Sequence, residues 1–170
     1  AISMYNELTA GDIKKMQEEI DYRTSVVRPK LIEDLQAARA MGDLSENFEY
    51  KTAKRELGKC NSRIRYLNRM IATAKVVSDK SAPDVVGLYD RLEILSEGDD
   101  ETEWIEIVTT LRQNVLEGRI SKESPLGRAV LGRRVGDHVT VRVDDETSYD
   151  VEIRSLEKGT DDGSVPINRF

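Results

Sequence analysis

The chain has 170 residues, enough for one ordinary domain or two small ones. Charged residues make up 34% and hydrophobic ones 38%, with two Phe and one Trp, a balance that suits long solvated helices beside a modest core. The net charge of -6 argues against generic nucleic-acid binding, and the single cysteine, Cys60, excludes an intrachain disulfide and a Cys-based metal site.

The charge is uneven. Residues 1–79 carry 14 Lys+Arg against 12 Asp+Glu, whereas residues 80–170 carry 12 against 20, so two parts meeting different partners are expected. No apolar run approaches the ~20 residues that cross a bilayer. The start "AISMYNELTAGD" lacks the basic-then-apolar pattern of a secretory signal. A cytoplasmic monomer with no membrane association is expected.

In chain order, Thr9-x-x-Asp12 is a capping arrangement that places the start of a helix near residue 10. Ile13, Met16, Ile20, Val27, Leu31, Leu35 and Ala38 then recur at helical spacings. Pro29 has no amide to donate and predicts a kink or bulge; Gly42 ends the run. Ala53, Leu57, Cys60, Ile64, Leu67, Ile71 and Ala74 alternate spacings of four and three, a coiled-coil seam. Two such helices joined by "MGDLSEN" form an antiparallel pair, each arm about 45 Å long at 1.5 Å per residue.

"SDKSAPD", residues 78–84, reads as a linker, with a domain boundary near residue 80. Period-two segments follow: "RLEIL" (91–95), "EWIEIVT" (103–109), "HVTVRV" (138–143) and "SYDVEIRSL" (148–156). Ser124 and Pro125 are an N-cap and first helical position for "SPLGRAVLG", ended by Gly132. The expected architecture is α+β: a coiled-coil arm over residues 1–78, then an antiparallel sheet with one short helix over 79–158. Residues 159–170, rich in turn formers, read as a flexible tail.

The candidate chemistry sits between the two long helices. Asp43-x-x-Glu46 is most simply a capping box for the second helix. The functional alternative is that two nearby carboxylates hold a hard cation such as Mg²⁺, although two ligands are too few for a tight independent site. Standing at the end of a long arm, they could enter a partner's cavity and share a metal there. From Lys51 to Lys75 there are eight Lys or Arg against one acid, Glu56, either a solvated outer face or a phosphate-attracting one. Arg39, Lys54 and Arg55 lie nearest the tip. His138 has no triad partners in the sequence and reads as structural or surface-exposed.

"ARAMGDLSENFEYKTAKRE" and "GRISKESPLGRAVLGRRVGD", in this order, closely resemble the two signatures of the bacterial Gre transcript-cleavage factors, the resemblance spanning about residues 7 to 157. It implies a coiled coil that enters the secondary channel of RNA polymerase and an FKBP-like C-terminal domain that docks at the rim. It further implies a factor, not an independent nuclease, that stimulates the polymerase's own cleavage of the RNA 3′ end in backtracked complexes. Asp43 and Glu46 would be the catalytic acids, holding Mg²⁺ jointly with the polymerase, with none tightly bound to the isolated protein. Arg39, Lys54 and Arg55 would approach the nascent RNA 3′ end. Ser121, Ser124, Pro125, Leu126 and Gly127 would contact the polymerase core. The slightly positive arm leans toward the GreA branch over GreB. The chain departs from the family at Phe48, where Ala or Gly is common, and at "VVGLYDRLEIL". A non-cleaving channel regulator that inhibits the polymerase is the competing reading.

Overall fold

A computed structural model describes residues 7–42 and 47–168. These divide into two compact units. One comprises Ile13–Thr73, and the other joins the chain up to Asp12 with the chain from Ala74 onward.

The helical unit continues α1 (Ala10–Tyr22) through a π-helical turn, Arg23–Val27, into α2 (Arg28–Arg39), and returns along α3 (Phe48–Ala72). The π turn is where Pro29 predicts an irregularity. Pro29 has no N–H for the carbonyl four residues back, and the Arg28 amide bonds instead to the Arg23 carbonyl, one residue further than an α-helix allows. The Ser25 hydroxyl donates to the Asp21 carbonyl beside it. On α3, Ala53, Cys60, Ile64 and Leu67 are buried at the expected four-and-three spacing, joined by Met70 and Arg63. The antiparallel pairing is visible at both ends of the hairpin. Arg63 Nε donates to Glu19 at 2.7 Å, and Asn47 Nδ2 donates to the Ala38 carbonyl at 2.7 Å.

In the second unit, β1 (Glu7–Leu8) pairs parallel with β2 (Lys75–Val76), so the chain entering α1 and the chain leaving α3 are tied by backbone hydrogen bonds, the last from Val77 to Leu8 at 2.8 Å. The main sheet is β3 (Arg91–Ser96), β4 (Glu103–Val108), β5 (Arg119–Ser121), β6 (His138–Arg142) and β7 (Ser148–Glu157), in the order β5-β4-β3-β7-β6. Alternate residues of its strands, Leu92 and Ile94, Ile105 and Ile107, Val139 and Val141, Val151 and Ile153, form the core together with Val130 of α4 (Pro125–Val130). Each such side chain contributes about 1.5–3 kcal/mol on burial.

Three expectations are corrected here. The sheet is not wholly antiparallel: β5 pairs parallel with β4, and its three residues are too few to show a period-two pattern. Among the described residues, those from Glu7 to Asp12 belong with the C-terminal unit and not with the arm, because β1 and the first turn of α1 bond to it. Residues 159–168 are held and not loose. Arg112 donates to Asp161, the Gly159 amide to Asp90 at 2.9 Å, and the Asn168 amide to the Leu111 carbonyl at 2.7 Å.

Candidate functional sites: the arm tip and the docking segment

Helix α2 ends at Arg39, and Gly42 takes φ +118°, a conformation that an L side chain rarely adopts. The return helix begins at Phe48, and its N-cap is Asn47: Asn47 Oδ1 accepts from the Tyr50 amide at 3.0 Å, while its Nδ2 reaches back to Ala38. One side chain thus caps α3 and ties it to the end of α2. This corrects the expectation that Asp43 and Glu46 form the cap. A box with Asp43 as N-cap requires the helix to start at residue 44, and it starts four residues later. Asn was legible as a cap type, but the D-x-x-E spacing drew the assignment upstream. Asp43 and Glu46 themselves lie outside the described residues.

The predicted basic residues flank this tip. Arg39 is exposed in the last turn of α2, its guanidinium 5.8 Å from the Tyr50 ring centroid; Lys54 and Arg55 are exposed in the second turn of α3. Phe48 is 80% exposed, with the Lys51 ammonium 5.8 Å from its ring. No cluster of three or more His, Cys, Asp or Glu able to hold a metal occurs among the described residues.

The segment expected to dock, residues 121–127, is built by hydrogen bonds around Ser121. Its hydroxyl is 2.6 Å from that of Thr110 and accepts from the Glu123 amide at 3.1 Å. Its carbonyl accepts from the Ser124 hydroxyl at 2.7 Å, whose oxygen in turn caps α4 by accepting from the Gly127 amide at 3.0 Å. Gly127 is obligatory, since a Cβ there would stand 2.1 Å from the Ser121 carbonyl oxygen. Pro125 is exposed, Ser124 and Leu126 are half-buried, and Ser121 and Gly127 are buried. Of the five predicted contact residues, the first three offer surface, and the last two shape it. Lys122 pairs with Glu7 and Glu123, and the Lys122 hydrogen bond is the main reason the Glu7 carboxyl is held below its ordinary value.

Sequence reasoning missed the buried cluster in the same unit. Asp12 and Arg112 are fully buried, with Arg112 Nε 2.7 Å from Asp12 Oδ1. Asp12 also accepts from the Thr109 hydroxyl at 2.9 Å and the Tyr89 hydroxyl at 3.3 Å. Burial, reinforced by Asp12, pushes the Tyr89 hydroxyl well above its ordinary value, which keeps it a donor. His138 is exposed at the start of β6 and Cys60 is buried in the seam.

A helical hairpin in one unit and a small mixed sheet with a short helix in the other define the class as an α+β protein of two units. Residues 6–76 match the family described as transcription elongation factor, N-terminal, and residues 80–158 match transcription elongation factor, GreA/GreB, C-term. The chain belongs to the GreA/GreB family of transcription elongation factors. It is 42% identical to transcription elongation factor GreA of Geobacillus kaustophilus, over 79% of this chain and 86% of that protein. It is 34% identical to GreA of Mesoplasma florum, over 88% and 96%. Among solved structures, GreA factor homolog 1 of Thermus thermophilus aligns with a TM-score of 0.41 at 22% identity, covering 89% of this chain and 97% of that one. No helix among the described residues is long and apolar enough to cross a membrane.

Proposed function

We propose that the protein binds bacterial RNA polymerase, inserts its helical arm through the secondary channel, and stimulates hydrolysis of the RNA 3′ end in backtracked complexes so that elongation resumes. The observation that carries this reading is the tip. Asn47 takes over the capping of α3, leaving Asp43 and Glu46 unneeded as its cap, and exposed Arg39, Lys54 and Arg55 stand on both helices beside the loop. Asp43 and Glu46 would hold Mg²⁺ jointly with the polymerase. The cation would supply charge neutralisation at phosphate and a lowered pKa for its bound water. Arg39, Lys54 and Arg55 would bind the phosphates of the RNA 3′ segment and hold it against the tip. Ser124, Pro125 and Leu126 would supply the docking surface for the polymerase core. The protein then completes a catalytic centre without being an enzyme alone, acts as a monomer, and works where transcription occurs, in the cytoplasm.

The test is transcript cleavage in halted elongation complexes. Asp43→Ala with Glu46→Ala is expected to abolish stimulated cleavage while polymerase binding stays within about threefold of wild type. Undiminished cleavage by the double variant would sink the mechanism. Wild-type protein that blocks nucleotide addition without shortening the RNA would establish an inhibitory regulator instead.

A further inference from the structure

The arm has a second face near its tip. Between α2 and the first turns of α3 lies an open cavity of about 490 Å³. Ala38 and Ala53 are buried at its floor, with Leu31 half-buried beside them; Met41 and Phe48, 68% and 80% exposed, stand at the tip-side end. Three carboxylates line it, Asp34, Glu49 and Glu56, and no basic side chain does among the described lining residues. At about 3.6 residues per turn, Glu49, Thr52 and Glu56 share one side of α3 while Lys54 projects from the other.

This face has the wrong sign for RNA, whose phosphates the three carboxylates repel. It has the right composition for a protein segment: an apolar floor with small side chains that permit close approach, two large apolar groups held in water at its tip-side end, the most exposed on the helical unit, and an acidic rim. Asp34 and Glu56 are each paired on their own helix, with Lys30 at 3.2 Å and Lys59 at 3.5 Å. Exposed pairs of this kind are weak and exchange readily for a better-placed cation.

We propose that the groove seats a basic amphipathic segment of the polymerase, an apolar anchor flanked by Lys or Arg. The arm tip thereby offers one side to RNA phosphates and the other to protein. The inference rests on the polymerase reading above. It gives Phe48 a role, as part of the apolar end that the partner's anchor covers.

Two variants test it by different means: Ala37→Trp fills the groove from an exposed position, and Asp34→Lys with Glu56→Lys reverses two rim charges. Circular dichroism shows which variants keep the arm helical, and any that does is decisive. Binding of labelled protein to core polymerase is expected to weaken about tenfold or more in each, and the charge-reversed variant is expected to show a smaller salt dependence. Wild-type affinity in a folded variant overturns the groove while leaving the proposed function standing. Wild-type protein that fails to bind polymerase overturns both. A wild-type dimer in sedimentation that Ala37→Trp breaks would assign the groove to a second copy and overturn the proposal.

Discussion

Arg112 donates both terminal nitrogens to Asp161, at 3.0 and 2.7 Å, from a position in which its guanidinium is wholly buried. Its Nε faces Asp12 at 2.7 Å, and its guanidinium carbon lies 5.5 Å from the Tyr89 ring centroid. One cation thus holds the first turn of α1 and the segment after β7 in the same unit. Asp161 lies only three residues past the end of the matched family region at residue 158, and the segment it belongs to closes the unit over Arg112.

Arg112→Met is expected to destabilise the C-terminal unit by about 3–5 kcal/mol, because it leaves two buried carboxylates without their shared cation. Asp161→Asn keeps one ion pair, to Asp12, and is expected to cost less, about 1–2 kcal/mol. Trp104, the only tryptophan, belongs to this unit, so its fluorescence during thermal unfolding follows the right part of the chain. A chain ending at Lys158 loses Asp161 altogether and is expected to melt at a lower temperature. A truncated chain that melts with the full one would show that residues 159–168 contribute nothing.

The helical unit has an acid-labile contact of its own. Arg63, nearly buried, bonds both oxygens of Glu19 at 2.7 and 3.1 Å, and Arg23 adds a third bond at 2.8 Å. Burial raises the Glu19 carboxyl, but these hydrogen bonds outweigh it and hold the group below its ordinary value of 4.5. The folded chain therefore gives up this proton more readily than the unfolded chain, so the stabilisation is full above about pH 5 and fades as pH falls through the folded value. Glu19→Gln is expected to lower the stability of the helical unit by about 2 kcal/mol at neutral pH and to flatten the acid limb of its far-UV circular dichroism melt. An unchanged acid limb would assign the acid sensitivity to other carboxylates.

The long periodic elements were legible because their signals are local. The seam of α3, the irregularity before Pro29, the Ser124–Pro125 start of α4 and four of the sheet strands stand where spacing and turn chemistry put them. The Thr9–Asp12 box also forms, each residue bonding the other's amide at 3.0 and 2.9 Å. What escaped depends on distant residues. The two-residue β1 and β2 pair with each other across the sequence, β5 pairs with β4, and the tail is held by residues far back in the chain, Arg112, Asp90 and Leu111. Asn47 was misjudged for a different reason: two acids at capping distance competed with it, and only the observed start of α3 decides between them.

Gly127 is expected to resist even a methyl group. The added Cβ would lie 2.1 Å from the Ser121 carbonyl oxygen, a backbone atom that also accepts from Ser124 and cannot withdraw without breaking the cap of α4. Gly127→Ala is expected to cost about 2 kcal/mol or more, in the range of overpacking substitutions, and, if Pro125 and Leu126 form the proposed docking surface, to weaken polymerase binding by displacing them. Ser124→Ala removes the cap and the hydroxyl's bond to the Ser121 carbonyl but adds no clash, and is expected to cost about 1 kcal/mol. Equal losses in the two variants, read from Trp104 unfolding, would mean that the methyl group is accommodated.

Asn47 performs two bonds that can be separated. Asn47→Ala loses both the acceptor for Tyr50 and the donor to Ala38, and is expected to destabilise the hairpin by about 1–2 kcal/mol. Asn47→Asp keeps the acceptor and adds a negative charge that the N-terminus of α3 favours, but it has no amide to offer the Ala38 carbonyl. Its helix start is therefore preserved while the tie between α3 and the end of α2 is cut. If the tip acts by holding its acids at one place, both variants lower stimulated transcript cleavage, and Asn47→Asp does so with little loss of helical stability. Wild-type cleavage by Asn47→Asp would show that the Asn47–Ala38 tie serves folding alone.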